Sequence, residues 1–280
     1  MSQKKTQKTD LLVQSNSMVE GSYRMTPNEM RLVKYAIVQC RENNLGLFPD
    51  LPIVIHVRDF CRFFGMSEGS GYKDIKNATT RLLTRQFTWR DTHISEAGRK
   101  SVQVTTSNWI SERSYVDDEG IVKIIFTPAV IRQITRLDTD FLKYEIKQIV
   151  NLGSAYSIRI YELLAQYKTI GDRSFTVDEL REVLKTDEKY KTFGILKLKV
   201  LMPAVDEINE KTDLSVWFEE EKTGRKITGL KFKIEQKKPA KAVGARTKIT
   251  REEAEKMAKI GEDWLQLLAR LTKDFIIVDL

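Results

Sequence analysis

Two short stretches gather side chains that can recognise a polyanion. In the first, Lys73, Lys76, Asn77, Thr80 and Arg81 lie close together, with Asp74 the one acid among them. In the second, Lys191, Thr192, Lys197 and Lys199 precede a turn carrying Arg225 and Lys226. Arginine and lysine meet guanine edges and phosphates, and asparagine can pair with adenine through two hydrogen bonds. A solvated helix face carries the same residue types, so the residues alone leave both readings open. Catalytic groupings are not evident. His56 and His93 are the only histidines and stand far apart. No Gly-x-x-x-x-Gly-Lys-Ser/Thr loop is present to cradle a nucleotide phosphate. Cys40 and Cys61 sit among apolar residues and read as reduced core thiols, and no Cys/His spacing suggests zinc. We therefore expect no catalytic residue, no metal and no cofactor.

The elements that must position these stretches follow from periodicity. Leu198, Leu201, Val205 and Ile208 step by three, four and three, which predicts one buried face of a helix over 190–212, with Lys197 and Lys199 pointing outward. Pro203 lacks a backbone donor and should kink or restart that helix. Leu214, Val216 and Phe218 alternate, as do Leu230, Phe232 and Ile234, so a hairpin follows, turning at Lys222-Thr223-Gly224-Arg225. A basic helix followed by a basic-tipped hairpin is the outline of a winged helix. In the first stretch, a helix over 72–85 buries Ile75, Ala78, Thr79, Leu82 and Leu83 and turns its cations outward.

The chain of 280 residues, net charge +8, is long enough for two modest domains. No apolar run approaches the roughly 20 residues of a membrane span. Thr26-Pro27-Asn28-Glu29 is a helix start with a capping box, ahead of Met30, Val33, Ile37 and Cys40. A strand at 53–57, a short helix at 59–64 stopped by Gly65, the helix over 72–85 and a ribbon of three strands to Phe126 complete the first half. The second half repeats the order: a Ser154-capped helix, a Thr176/Glu179-capped helix, the helix over 190–212, then the hairpin. The expected fold is α+β, with two tandem winged-helix domains plus a C-terminal basic linker and helix. We divide the chain into a mobile polar arm (1–12), a first winged helix for dimerisation and DNA binding (13–137), a packed connector (138–152), a second winged helix as principal DNA binder (153–237), and a basic linker with a Thr250-capped helix (238–280).

Four pieces carry a resemblance. They are Val13-Gln14-Ser15-Asn16-Ser17-Met18-Val19-Glu20 ahead of the Thr26-capped helix; Tyr72-Lys73-Asp74-Ile75-Lys76-Asn77-Ala78; Ser154-Ala155-Tyr156-Ser157-Ile158-Arg159-Ile160-Tyr161-Glu162-Leu163-Leu164; and Ala204-Val205-Asp206-Glu207-Ile208-Asn209 with Thr212-Asp213-Leu214 and Gly224-Arg225-Lys226. Together they span roughly residues 12–236, and the chain resembles the iteron-binding replication initiators of theta-replicating bacterial plasmids. That resemblance implies a bacterial, cytoplasmic DNA-binding protein. Its monomer binds direct repeats at a plasmid origin through both winged helices, helps open an AT-rich segment, and assembles host initiator and helicase. Its dimer, paired through the first domain's sheet region, represses the protein's own gene, with chaperones as candidate converters of dimer to monomer. By position it assigns base reading to Lys73, Lys76 and Asn77 in the first domain. In the second it assigns Lys191, Thr192, Lys197 and Lys199, with Arg225 in the wing. Relatives often carry arginine at the positions of Lys197 and Lys199, and lysine lacks the planar fork to guanine. Two other classes compete: a transcription repressor on the same fold, and a strand-nicking enzyme using Tyr156, Tyr161 or Tyr190.

Overall fold

The computed structural model describes residues 10–43, 51–135, 140–186, 188–237, 247–258, 262–272 and 275–278. Lys4, Lys5 and Lys8 of the polar arm, the helix-ending Asn44 and Gly46, Asp138 of the connector, the linker stretch 238–246 and Ile260 lie outside the described residues. The chain divides into two compact units, residues 1–236 and 237–280.

The first unit begins with β1 (Leu11–Ser15), α1 (Asn16–Glu20) and β2 (Ser22–Tyr23). Leu11 and Leu12 therefore belong to a strand, and Leu12 is fully buried, which corrects the arm's expected end. Next come α2 (Pro27–Asn43), β3 (Ile53–His56), α3 (Val57–Phe63) and α4 (Glu68–Leu82). The capping box that opens α2 is present: Glu29 N–H donates to Thr26 Oγ1 at 3.3 Å, and Thr26 N–H to Glu29 Oε2 at 2.9 Å. His56, expected inside a core strand, ends β3 exposed. Gly65 follows α3 at φ +62°, a conformation that favours glycine. The expected helix over 72–85 begins four residues earlier, so Gly71 falls within its first turn. A Cβ on Gly71 would overlap Cys61 Sγ, so its absence lets α4 close on α3.

The strands β4 (Gln86–Ile94), β5 (Lys100–Asn108), β6 (Ile110–Val116) and β7 (Ile121–Phe126) replace the expected three-stranded ribbon. They split between two sheets, ordered β2-β4-β5 and β3-β7-β6. Strand β6 was hidden because Ser111, Glu112, Arg113 and Ser114 break apolar alternation. The β3-β7-β6 sheet with α2, α3 and α4 is a winged helix whose wing turns at Asp117–Glu119. The β4-β5 hairpin stands beside it, and its Ile94, Val102 and Val104 are exposed. Helix α5 (Pro128–Thr135) follows, then β8 (Phe141–Glu145), which pairs antiparallel with β1, and α6 (Lys147–Val150).

The second half holds α7 (Ala155–Ala165), β9 (Asp172–Thr176), α8 (Val177–Leu184), α9 (Phe193–Leu196), a five-residue π turn (Lys197–Leu201), α10 (Met202–Lys211), and the wing strands β10 (Leu214–Thr223) and β11 (Lys226–Gln236). Its sheet order is β10-β11-β9. From Ser157 to Ala165 every residue of α7 is buried, Arg159 and Glu162 included. A helix buried all round must be packed on several sides, and its polar groups bond across the halves. Glu162 Oε1 accepts from Gln14 Nε2 and Tyr144 OH at 2.7 Å each, and lies 2.7 Å from Lys34 Nζ. Burial beside that carboxylate pushes the Tyr144 phenol well up. Arg159 reaches Tyr23 OH and Gly21 O at 2.7 Å. Arg173 pairs with Glu20 at 2.6 Å, and Arg90 with Glu182 at 2.6 Å.

The second unit contains β12 (Thr247–Thr250), α11 (Arg251–Lys256), α12 (Trp264–Leu271) and β13 (Phe275–Val278), with β12 and β13 parallel. Two helices thus replace the single expected one. Each starts at its own capping box, Thr250 with Glu253 and Asp263 with Gln266. Ile249, Ala254, Leu267, Leu271 and Ile277 form its core.

Two stability outcomes follow. Gly71→Ala gains roughly 1 kcal/mol of helix propensity but suffers overpacking of about 1–3 kcal/mol. Denaturant unfolding should show a net loss, partly recovered by adding Cys61→Ala. Lys34→Met takes the nearer charge partner from the buried Glu162 carboxylate, leaving Arg159 at 3.9 Å, and should cost up to about 3–5 kcal/mol. Adding Glu162→Gln should restore much of that loss in the same measurement.

Candidate nucleic-acid interface

The recognition segment of the second half starts at Thr192, whose Oγ1 accepts the Ile195 N–H at 3.3 Å and so caps α9. The expected single helix over 190–212 is instead α9, the π turn and α10. Pro203 sits in the first turn of α10, where its missing donor matters least, and the Met202 N–H bonds five residues back to Lys197 O. The extra residue in the turn shifts the faces. Leu196, Val200, Leu201, Ala204 and Ile208 are buried, whereas Leu198, expected inside, is 59% exposed and Val205 is only half-buried.

Scaffold contacts hold this segment at both ends; at its start, Arg181 on α8 donates to Tyr190 O at 2.8 Å and Lys191 O at 3.3 Å. Glu207 on α10 accepts the Gly153 N–H at 2.7 Å, just before α7. The Asn209 amide brackets Val216, donating to its carbonyl at 2.8 Å and accepting its N–H at 2.6 Å, as a neighbouring strand would. Asp213 accepts from Tyr161 OH at 2.9 Å. Burial and Asp213 push the Tyr161 phenol up, and the side chain is 1% exposed, so it cannot meet a phosphodiester as a nucleophile. Tyr156 and Tyr190 are half-buried against each other, ring centroids 6.2 Å apart.

The expected DNA contacts fall into two groups. Lys191, Thr192 and Lys199 are exposed, as are Arg225 and Lys226 beside Gly224 (φ +63°) at the wing tip. No ion pair among the described residues holds Lys191, Lys199, Arg225 or Lys226. Lys197 differs: its Nζ lies 2.7 Å from Glu220 Oε1 on β10, and it stands partly covered beside Phe218. On α4, Lys73, Asn77 and Thr80 are exposed, with the Thr80 hydroxyl donating back to Lys76 O at 2.8 Å. Lys76 pairs with Asp117 at 3.3 Å and lies 4.3 Å from the Tyr115 ring centroid. Arg81 is bound at 2.6 Å to the buried Glu29, which also takes Arg85 at 3.1 Å.

The two wings are electrostatic opposites. The first carries Asp117, Asp118 and Glu119 at its tip, the second Lys222, Arg225 and Lys226. Tyr72 OH hydrogen-bonds Asp117, which raises the phenol to about 12 and, together with Lys76, holds the carboxyl below its usual range. Such a tip repels phosphates and spends its charge within the protein. Sequence reasoning missed one cationic feature. A groove of about 420 Å³ between the halves is lined by Arg24, Arg85 and Lys185, with Glu188 as its acid. Arg24 and Lys185 lie outside regular periodic elements, so no face pattern marks them. Among the described residues no cluster of His, Cys, Asp and Glu is arranged to hold a metal. No described helix is long and apolar enough to cross a membrane.

Lys199→Ala should lower the slope of log affinity for duplex DNA against log salt by about one, the release of one phosphate contact. Lys197→Ala should leave that slope nearly unchanged and shift thermal stability instead. Salt titrations with both variants check this.

Comparison with known proteins places the geometry. Residues 11–165 match the family described as Initiator Replication protein, WH1, and residues 176–234 match Initiator Rep protein, WH2. The PI protein of Escherichia coli is 30% identical over 210 residues, covering 64% of this chain and 68% of that protein. An uncharacterised 27.6 kDa protein of Escherichia coli is 25% identical over 221 residues, 76% of this chain and 90% of the relative. The fold matches the crystal structure of the Pi initiator protein in complex with iteron DNA, with a TM-score of 0.60 at 23% identity, covering 82% of this chain and 98% of that one.

Proposed function

The chain belongs to the initiator replication protein family, built on two winged-helix domains, and on that premise we propose that it binds directly repeated sites, iterons, at a plasmid origin as a monomer. One observation carries this reading: the second half presents a recognition segment and a wing whose exposed charges, Lys191, Lys199, Arg225 and Lys226, have no acidic partner among the described residues. Phosphate contacts by such groups position a protein, and base contacts specify the site. The first half adds Lys73, Asn77 and Thr80 on α4. In this reading Lys76, Arg81 and Lys197 serve chiefly to hold the two recognition helices. Bound across successive major grooves, the protein promotes opening of the adjoining DNA and recruits the host initiator and helicase in the cytoplasm.

A dimer acts as repressor of the protein's own gene. The supporting surface is the β4-β5 hairpin: β5 is an edge strand with Val102 and Val104 exposed at 69% and 57%, and Ile94 of β4 is exposed at 60%. An apolar edge strand is a template for pairing with a second copy, and chaperones would be the agents that undo it.

A footprint of the purified protein on the DNA flanking its gene, at physiological salt, tests the reading. Protection of several direct repeats, each about two helical turns, is expected, since successive major grooves recur roughly every 10.5 base pairs. Protection of a single inverted repeat over the promoter would make it a repressor. Salt-sensitive binding without a footprint would reduce it to a basic surface.

A further inference from the structure

Ile195, Leu198 and Met202 are exposed at 48%, 59% and 43% on the recognition segment. They lie on either side of and within the π turn, and all three face solvent. Single exposed apolar residues need no explanation, but a contiguous row rimmed by charge marks a contact surface. Lys191, Thr192 and Lys199 are exposed too, no acid lies between Lys191 and Pro203, and the exposed Asp206 one turn beyond Met202 bounds the row. The stripe owes its direction to the π turn. In an uninterrupted α-helix Leu198 shares the face of Leu201 and Ile208, which are buried. With the extra residue, Leu196 and Val200 take the core and Leu198 turns out. π turns inside helices gather at functional sites.

What covers such a stripe must be apolar at its centre and anionic around it. The major groove at A·T pairs fits, because the thymine C5-methyl is its apolar feature and phosphates line both sides. We infer that Ile195, Leu198 and Met202 read thymine methyl groups in the major groove, and that Lys199 beside them holds the backbone. Thymine is thus specified by burial of methyls and not by a hydrogen-bonded fork, which the lysines of this segment lack. The inference rests on the origin-binding reading.

Thymine methyls can be removed without altering base pairing, and that gives the test. The fragment flanking the gene is amplified with either dTTP or dUTP, and affinities are measured for the full-length protein and for Leu198→Ala. The unaltered protein should lose about fourfold for each methyl it buries. Leu198→Ala should bind the thymine fragment more weakly, discriminate less between the two fragments, and keep the same salt slope and melting temperature. Lys199→Ala should keep the discrimination and lose salt slope. Equal binding of both fragments by the unaltered protein overturns the inference and leaves origin binding intact, and needs no variant to fold. Unchanged discrimination in Leu198→Ala, or a change only in its oligomeric state, also overturns it and marks the stripe as a protein contact. No footprint on the thymine fragment removes the origin-binding reading and this inference with it.

Discussion

One buried carboxylate constrains the first unit more than any other group. Glu162 is fully inaccessible and draws Gln14, Lys34 and Tyr144 onto a single oxygen at 2.7 Å each. Taking a charge out of water costs several kcal/mol, and only close, well-directed partners offset it. Those partners come from β1, α2 and β8, while the carboxylate comes from α7. The halves must therefore assemble together. Arg159, one turn earlier on α7, repeats the device by bonding Tyr23 and Gly21. The connector, packed as β8 against β1, forms one wall of this joint.

From that joint outward, the cations sort by what they answer to. Lys34, Arg159 and Arg173 answer to the core; Lys76, Arg81 and Lys197 answer to acids on the same domain. What remains on the recognition segment and second wing is a small set facing solvent. The formal charge of +8 thus overstates the first domain's readiness to meet DNA. Its wing is acidic, and its recognition helix carries one lysine, Lys73, without an ion pair among the described residues. The second domain's recognition segment and wing tip carry more exposed cations without an ion pair among the described residues than α4 does.

The capping boxes at Thr26, Thr176 and Thr250 were legible because a cap is decided within four residues. The tandem order of helices and wings was legible because each helix announces its buried face. What failed was non-local. Nothing in 86–126 says which strands share a sheet, since that depends on β2 and β3 arriving from far away. The exposed Leu198 misled because a 3.6-residue period assumes an unbroken helix, and Pro203 hinted at the break without giving its form. Lys76 and Lys197 looked outward-facing because Asp117 and Glu220 lie 41 and 23 residues away. Three residues of the fourth piece that carries the resemblance, Glu207, Asn209 and Asp213, are scaffolding: they fasten the recognition segment to the start of α7, to β10 and to α7.

A helix that holds one residue more than its hydrogen-bond ladder requires turns residue number into rotation. Each α-helical residue is worth roughly 100° about the axis. The π turn takes up that rotation between Lys197 and Leu201, so the helix keeps its buried residues on both sides, Leu196 before the turn and Ala204 and Ile208 after it. Deleting one residue there would close the turn to a regular α-helix and leave both flanks seated. The side chains that would change place are those of the turn itself, Leu198 among them, so for this segment a single-codon deletion edits the exposed surface and spares the scaffold.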